Sequence, residues 1–464
     1  MLKMNEGKKT LIPIKKDNLI ILIVLIVSGI ITFFFVGQNR GYVLYKDSDA
    51  FLNTGFKEAY NVGMMPGYCL LVEIIRKIFG EKIYLDVLVF LQGLLAIAVL
   101  IRFSFFFKGE FKLNTLETIL VFGLSTLPYW YSMPEEIATH AIMTESVSFS
   151  VMYIYIYYML KGIYYSSYKH MIYAVVSAFI MTLIRKQLVL FLLSGIVVIV
   201  YMLMSRVIKK KSVCFIILGG SAIICIIGII TAYLYSYPKN SSMTFDQVTY
   251  SFAGKAIYMS EPEDSEHYSD RDSRAVFELL YEYADQGEML YSYADSDDKM
   301  KWQHAIKGMN YTTRTVWKNV ITYCRENGYE DERTMYLIKE IVCTQIKNDP
   351  FRFLHITSIP IGQSLISSVF VKPDSIYYLC AILSAFLYVF SAVISYLSYR
   401  NDRTDRRAFK TYTLVVFLLL TNAFALNIFF QSLQRYVVYT FGLFYIAIVI
   451  NILTIVRSRD LTMH

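Results

Sequence analysis

Two aspartates, Asp47 and Asp49, stand two residues apart in the stretch "YKDSDAFLN", shortly after the first long apolar run of the chain. A carboxylate in such a place can act as a general base that takes a proton from an acceptor hydroxyl. Two carboxylates at this spacing can instead be hard oxygen ligands for Mg²⁺ or Mn²⁺. In most loops, however, the same pattern is a turn or a helix cap. The side of the membrane and the neighbouring residues decide among these interpretations.

The composition indicates a membrane protein. Of the 464 residues, 56% are hydrophobic and 18% are charged, whereas soluble domains carry about 25% charged residues. The apolar residues are gathered in runs that are long enough to span a bilayer, which takes roughly 20 residues of helix. We therefore predict an all-α polytopic membrane protein in a lipid bilayer, and nothing in the sequence points to nucleic acid as a partner.

The apolar runs predict about ten transmembrane helices. They fall near 19–37, 83–101, 114–129, 141–160, 171–185, 187–205, 213–236, 375–399, 411–430 and 436–456. The first run is too long for the apolar core of a signal peptide, and no small-residue cleavage site follows it, so we expect it to be retained. The segment 351–370, which Pro360 and Gly362 interrupt, is a re-entrant or interfacial helix or an eleventh span.

Basic clusters fix the predicted orientation. When the spans are threaded in order, five clusters fall on the same side as the Lys-rich N-terminus: Arg102 with Lys108 and Lys112, Lys161 with Lys169, 206–211, 400–407, and Arg457 with Arg459. Positive charge marks cytoplasmic loops, so both termini are expected in the cytoplasm. The external loops are then 38–82, 130–140, 237–374 and 431–435.

This topology divides the chain into three parts. Residues 1–236 form an N-terminal transmembrane module, 237–374 an extracytoplasmic loop, and 375–464 the C-terminal transmembrane helices. Within 237–355 there are 20 Asp and Glu against 14 Lys and Arg, so this stretch is acidic in a chain whose net charge is +8. Apolar residues at three- and four-residue spacing in 273–291 and 333–349 predict helices there, which favours a helical cap on the membrane face.

The six cysteines form no CxxC pair, so a structural zinc site has no support. Cys324 and Cys343 share one external loop and are candidates for a disulfide in an oxidising compartment, although free thiols are the default expectation.

The stretch after the aspartates, "TGFKEAYNVGMMPGYCLLVEIIRKIFG", predicts two short helices in the membrane interface. Its second half, from Tyr68 to Phe79, is amphipathic, and Pro66 with Gly67 separates it from the first half. Asp47 and Asp49 are thus expected at the boundary of water and lipid, outside the cytoplasm.

An ordered set of short motifs resembles the GT-C superfamily of glycosyltransferases that use polyprenyl-phosphate sugars, especially the protein O-mannosyltransferases and lipid A aminoarabinose transferases. An acidic motif opens the first external loop, and "PGY" and "IFG" precede the second span. Further along come "TE" at 144–145, "TLIRKQ" at 182–187, "IKNDPFRFL" at 346–354 and "LQRYVVY" at 433–439. The set covers most of the chain. The family's acidic pair is often Asp-Glu, whereas this chain has Asp-Ser-Asp, which leaves open which carboxylate takes which role.

The resemblance implies a GT-C-like fold and an enzyme that transfers a hexosyl or pentosyl group, with inversion, from a polyprenyl-phosphate-linked sugar donor to an extracytoplasmic acceptor. The acceptor is a glycan, a lipid or a protein, and the setting is polysaccharide biosynthesis in the cell envelope. The composition, rich in Lys, Ile and Tyr, favours a bacterial cell membrane. The candidate cofactor is a divalent metal ion, Mg²⁺ or Mn²⁺, with Asp47 and Asp49 as ligands.

Such a reaction needs a base for the acceptor hydroxyl and positive charge on the leaving phosphate. Asp47 or Asp49 is the candidate base, and Asp47 is slightly favoured by its place in the motif. The other candidate site residues are Glu145, which is counted with the catalytic group, and Arg185, Lys186, Arg435, Tyr436 and His140, which are counted with substrate binding. Ordinary interpretations compete: Arg185 and Lys186 can snorkel at a helix end, Glu145 suits a helix N-terminus, and His140 suits a structural position.

Two other classes of function fit a polytopic chain. A lipid-linked glycan flippase or transporter usually carries charges inside its spans and broken helices in matching halves, whereas the charges here lie at the predicted external ends. A polysaccharide polymerase or ligase has its basic residues in a large late loop, whereas the large loop here is acidic. The glycosyltransferase is therefore the leading hypothesis.

Overall fold

The computed structural model describes residues 16–36, 41–45, 47–59, 64–133, 136–204, 211–234, 247–294, 298–370, 377–402, 405–429 and 437–460. Within these ranges the regular structure is helical, and the one β-type pairing is an isolated parallel bridge between Val43 and Ala141. The prediction of an all-α fold is confirmed for this part of the chain.

In the N-terminal part, the described residues form nine α-helices. They are α1 (Lys16–Ile30, continued by a π-helical turn, Ile31–Phe35), α2 (Ser48–Asn53), α3 (Pro66–Phe79), α4 (Tyr84–Phe111), α5 (Thr115–Tyr131), α6 (Thr144–Tyr165), α7 (Tyr168–Ile184), α8 (Val189–Met204) and α9 (Lys211–Leu234). Helix α3 occupies the place of the second predicted interfacial helix. The first was predicted in the part of 54–80 that precedes Pro66, where the described residues 54–59 form turns, and α2 lies before that stretch.

Local sequence explains where these helices begin and end. Helix α3 starts with Pro66, whose fixed φ suits the first helical turn, and stops at Gly80, which takes φ +76°. Helix α5 begins with a capping box, in which the Asn114 side chain accepts from the Glu117 amide and the Glu117 carboxylate accepts from the Asn114 amide.

Between the two membrane parts, the residues that the structure describes form six α-helices. They are α10 (Gln247–Met259), α11 (Arg271–Gln286), α12 (Asp298–Thr315), α13 (Ile321–Glu326), α14 (Asp331–Asn348) and α15 (Pro350–Ser367). Helices α11 and α14 lie where helices were predicted. The apolar faces of the helices in this segment form a core that is separate from the core of the membrane helices. It includes Ile257, Phe277, Leu280 and Ile338. The questioned segment 351–370 is largely α15, which continues as a helix through Pro360.

The C-terminal part contains α16 (Tyr377–Asn401), α17 (Arg407–Phe429) and α18 (Phe441–Asp460), which a 3₁₀ turn, Val438–Thr440, precedes. Helix α18 packs closely on α5 at Gly442, where a larger residue would not fit. A Cβ added to Gly442 would come within 2.1 Å of the Leu124 carbonyl oxygen.

Among the described residues, five helical segments are long and apolar enough to cross a membrane: Asp17–Phe35, Tyr84–Phe111, Tyr378–Asn401, Arg407–Asn427 and Val438–Ser458. Three shorter apolar helices, Tyr168–Ile184, Lys186–Val200 and Gly219–Thr231, coincide with further predicted spans. Large apolar side chains such as Ile382, Phe386 and Val389 of α16 are exposed, as lipid-facing residues are. The chain is thus a multi-pass membrane protein, whereas the count of ten spans stays a prediction.

The membrane core is rich in tyrosines from α6. Tyr153 and Tyr155 are fully buried, and their hydroxyls donate to the backbone carbonyls of Ser125 and Phe191, at 2.8 and 3.2 Å. Buried tyrosines pack well when the hydroxyl finds such a partner. The Tyr-rich stretch of α6 is therefore a packing face.

Ion pairs join the helices at the end opposite α2 and α3. Arg407 at the start of α17 contacts Glu110 of α4 at 2.7 Å, and Arg457 of α18 contacts Glu117 of α5 at 2.5 Å. We call this end the basic end, because it carries Arg102, Lys108, Lys161, Arg407 and Arg457, which belong to clusters that were predicted to be cytoplasmic.

Four cysteines, Cys69, Cys324, Cys343 and Cys380, are free thiols. Cys324 is buried in the helical segment and Cys343 is exposed, so the disulfide considered between them does not form in this structure.

Candidate active site

The first and second predicted external loops are joined through their backbones. The Val43 amide donates to the His140 carbonyl at 2.8 Å, and the Ile142 amide donates to the Val43 carbonyl at 3.1 Å. This pairing places the segment before Asp47 directly beside the segment that leads into α6.

Asp47 and Asp49 lie at the start of α2 with exposed side chains. The turn before α2 is held by Ser48, whose amide donates to the Tyr45 carbonyl and whose hydroxyl accepts from the Tyr45 amide, both at 2.8 Å. Asp47 occupies the N-cap position, but its carboxylate makes no capping hydrogen bond. The interpretation of Asp47 as a helix cap therefore finds no support in the geometry.

Arg76 of α3 fixes the far end of α2. Its guanidinium donates to the Leu52 carbonyl at 2.7 Å and to the Tyr84 hydroxyl at 2.9 Å, and it lies 4.6 Å from the centre of the Tyr84 ring. On the same side, the rings of Phe51 and Tyr68 meet edge to face at 5.2 Å. Arg76 was not predicted as a site residue, because in the sequence it is one basic residue of an amphipathic helix.

A buried ion pair lies at the start of α6. The Arg185 Nη1 and Glu145 Oε1 atoms are 2.5 Å apart, and the Glu145 side chain is 0% exposed against 11% for Arg185. Arg185 Nη1 also lies 3.5 Å from the Thr144 hydroxyl. Removal of either partner of such a pair is strongly destabilising, because it leaves the other charge buried without compensation. The structure thus brings together two predicted site residues from separate helices and gives Arg185 a partner, in place of the snorkelling position.

Gly67 explains how α3 approaches this pair. A Cβ at this position would come within 2.7 Å of the Leu183 carbonyl oxygen, two residues before Arg185. Only glycine allows the start of α3 to lie so close to the end of α7. The "PGY" step therefore sets the distance between the interfacial helix and the ion pair.

Two tyrosines flank the ion pair. Tyr439, before α18, bonds the Ser148 hydroxyl at 2.7 Å and lies within electrostatic reach of Arg185 and Glu145. Tyr68 of α3 is fully buried and donates to Gln92 at 3.2 Å. Burial raises the pKa of the Tyr68 hydroxyl well above its ordinary range, and the nearby Glu145 carboxylate adds to this. The Tyr68 hydroxyl therefore stays neutral and serves as a hydrogen-bonding group.

The remaining predicted residues have different outcomes. Lys186 is half-buried in the 3₁₀ turn that follows Arg185. His140 is buried. Its Nε2 donates to the Phe33 carbonyl at 2.9 Å, and its Nδ1 lies 3.6 Å from Glu136. These contacts favour a structural position, in which His140 ties the loop before α6 to the backbone at Phe33. Arg435 and Tyr436 lie outside the described residues.

Lys255 of α10 is a buried cation that the sequence analysis missed. Its ammonium donates to the Asn427 carbonyl at 2.6 Å, and the Asn427 amide donates to Ser364 of α15 at 2.7 Å. Burial lowers the pKa of Lys255 to about 8. Since Asn427 lies near the end of α17, Lys255 ties the helical segment to the membrane part.

The metal-ligand interpretation of Asp47 and Asp49 needs further ligands. In the part of the chain that the structure describes, no group of three His, Cys, Asp or Glu side chains is placed to hold a metal ion. Since Mg²⁺ is usually held by one or two carboxylates together with water and substrate phosphate, the metal role of Asp47 and Asp49 stays a prediction.

Comparisons with known proteins find distant structural similarity. No protein-family model matches the chain, and no curated protein matches it. The chain is similar to the crystal structure of ArnT from Cupriavidus metallidurans in the apo state, with 13% identity and a TM-score of 0.32 over 94% of this chain and 77% of that chain. For the same protein bound to undecaprenyl phosphate, the identity is 14% and the TM-score 0.32, over 93% and 77%. A TM-score of this size does not by itself support a function for this chain.

Proposed function

We propose that this protein is an integral membrane glycosyltransferase, which transfers a sugar from a polyprenyl-phosphate-linked donor to an acceptor on the external side of the membrane. The observation that carries the proposal is the joining of the two loops through Val43, which sets the exposed carboxylates of α2 beside the segment that leads to the buried Glu145–Arg185 pair. Base and cation are the two groups that this transfer requires.

In the proposed reaction, Asp47 or Asp49 takes the proton of the acceptor hydroxyl as its oxygen forms the new bond to the anomeric carbon. The bond from that carbon to the phosphate oxygen breaks, and the phosphate leaves with the electron pair. Attack opposite the leaving group inverts the anomeric centre. A general base of this kind contributes about 10²–10⁴-fold to the rate.

Arg185 is the proposed cation for the leaving phosphate, with Lys186 next to it. A guanidinium can bind phosphate through two parallel hydrogen bonds, which strengthen as negative charge grows on the oxygens. Arg185 retains some exposure, at 11%, whereas Glu145 has none. Glu145 is therefore a positioning residue that orients the guanidinium, and Tyr439 packs beside both.

The test is the transfer of labelled sugar from a synthetic polyprenyl-phosphate donor by the purified full chain. Asp47→Asn and Asp49→Asn are compared with wild type and with Asp86→Asn, an exposed carboxylate in the first turn of α4. We expect one of the first two variants to lose at least about 100-fold in turnover, as a lost general base does, with donor binding retained, and Asp86→Asn to keep full turnover.

If turnover survives both α2 substitutions, neither aspartate is the base and the proposed site is wrong. If the protein instead moves the intact donor across a liposome membrane without cleaving it, the chain is a flippase.

A further inference from the structure

A charged cavity opens at the basic end of the membrane helices, far along α4 and α6 from the candidate active site. Its volume is about 440 Å³, and its wall includes Arg102, Phe105, Glu110, Tyr157 and Lys161. None of these residues takes part in the proposed transfer.

Two cations of this cavity share one aromatic ring. Arg102 lies 5.0 Å and Lys161 4.7 Å from the centre of the Tyr157 ring, and the Arg102 guanidinium donates to the Tyr157 hydroxyl at 3.1 Å. Among the described residues, neither cation forms an ion pair with a carboxylate. Both cations line the cavity, so their charges repel each other, and an anion bound in the cavity would relieve that repulsion.

The acidic residue in the wall is already engaged. Glu110 contacts the Arg407 guanidinium at 2.7 Å and accepts a hydrogen bond from Tyr165. Arg407 is in turn shared with Asp405, at 3.0 Å. With these two carboxylates counted against Arg407, Arg102 and Lys161, the cavity region keeps a net charge of +1.

The cavity lies on the lipid-facing side of α4. Along this helix the exposed positions recur every four residues, with Phe90, Leu94 and Ala98 followed by Arg102. Residues at this spacing share one face of a helix. An apolar stripe therefore runs along the helix and ends at the two cations. A phospholipid has a matching arrangement, with an apolar acyl chain that ends at a charged headgroup.

We propose that this cavity binds the phosphate headgroup of an anionic phospholipid from the leaflet at the basic end, with an acyl chain along the exposed stripe of α4. Arg102 would bind the phosphate through its planar donors and Lys161 as a point charge. Basic pockets between membrane helices recognise acidic lipid headgroups in this way. The proposal does not depend on the transferase activity.

The test measures lipid that stays bound to the purified full chain by native mass spectrometry, after exchange into dioleoylphosphatidylglycerol or dioleoylphosphatidylcholine. We expect wild type to retain the anionic lipid preferentially, and this comparison requires no variant. The Arg102→Gln/Lys161→Gln variant should retain about tenfold less of the anionic lipid, since each of the two basic residues contributes to the electrostatic attraction of the lipid phosphate. The matched control is Lys169→Gln, which removes a single lysine over one ring, Tyr173, and should retain as much as wild type.

Equal retention of the two lipids by wild type would overturn the proposal, and so would unchanged retention by the double variant. An equal loss in Lys169→Gln would show that general surface charge is responsible, which also contradicts a built site. A third arm adds soluble glycerol phosphate. If it displaces the lipid at equal concentration, the ligand is a free phosphate ester and the lipid proposal is wrong.

Discussion

The ion pair between Glu145 and Arg185 offers the sharpest test of the site geometry. The perturbation is a double-mutant cycle of Glu145→Gln, Arg185→Gln and the variant that carries both. Glutamine is close in size to glutamate, so the first substitution removes a charge with little change in volume.

The burial of the two side chains sets the expected magnitudes. Breaking a buried pair costs about 3–5 kcal/mol, because the remaining charge stays in a medium of low dielectric. Glu145 is 0% exposed and Arg185 is 11% exposed, so Arg185→Gln leaves the more deeply buried charge and should lower the free energy of unfolding more. The double variant has no buried charge, and it should lose less than the larger single loss. The coupling energy should then be at least about 2 kcal/mol, within the range for residues of one network.

The assay is reversible unfolding by SDS in mixed micelles, followed by helical circular dichroism. The matched control is the exposed pair Arg274–Glu278 of α11, with an N–O distance of 2.9 Å and side chains 49% and 54% exposed. The same cycle there should give about 0.5 kcal/mol or less, as for exposed pairs on a helix.

A coupling energy for Glu145 and Arg185 that equals the value of the exposed control would refute the reasoning. It would mean that the two groups are separated or hydrated in the folded protein, and the proposed orienting role of Glu145 would be lost with it.

Three further predictions concern the supports of the site. Arg76→Gln removes charge-assisted hydrogen bonds worth about 1.5–3 kcal/mol, so the α2 amides should exchange hydrogen faster while those of α11 stay unchanged; equal rates would contradict the anchoring. Gly67→Ala should lower the free energy of unfolding by about 1–3 kcal/mol, because its Cβ meets backbone; Gly123→Ala, with open space around it, should be neutral or stabilising by up to about 1 kcal/mol. Lys255 has a pKa of about 8 when folded and about 10.4 when unfolded, so the unfolded chain binds more protons between these values and the free energy of unfolding should rise there with pH, by about 3 kcal/mol. Lys255→Met should flatten that rise, and a rise that persists would assign it to other groups.

From the sequence, the positions of the helices and the residue types of the candidate site could be predicted better than the contacts that those residues make. Period and hydropathy are local, so the places of α3, α11 and α14 could be inferred from short windows. Glu145 and Arg185 were both singled out, but their pairing depends on how α6 and α7 pack, and no local pattern encodes that contact.

Arg76 and Lys255 escaped prediction for a related reason. Each donates to a backbone carbonyl, that of Leu52 or of Asn427, and every residue has such an acceptor. A side chain whose partner is backbone leaves no second residue type for the sequence to reveal. The lone lysine in the stretch "AGKAIYM" was the one available signal for Lys255, since a lysine among apolar residues of a helix is costly to bury unless it is bonded.

The spacing of the site along the chain has a consequence for its biogenesis. The Tyr439 hydroxyl reaches Ser148 across 291 residues, whereas Arg185 reaches Thr144 across 41. At a synthesis rate of about 5–20 residues per second, Arg185 follows Thr144 by about 2–8 s, and Tyr439 follows Ser148 by about 15–60 s. The charges of Glu145 and Arg185 can thus neutralise each other within one helical hairpin, long before the last helix is made. A ribosome that stalls before Tyr439 would leave a membrane intermediate in which the ion pair is formed but its aromatic cover is missing.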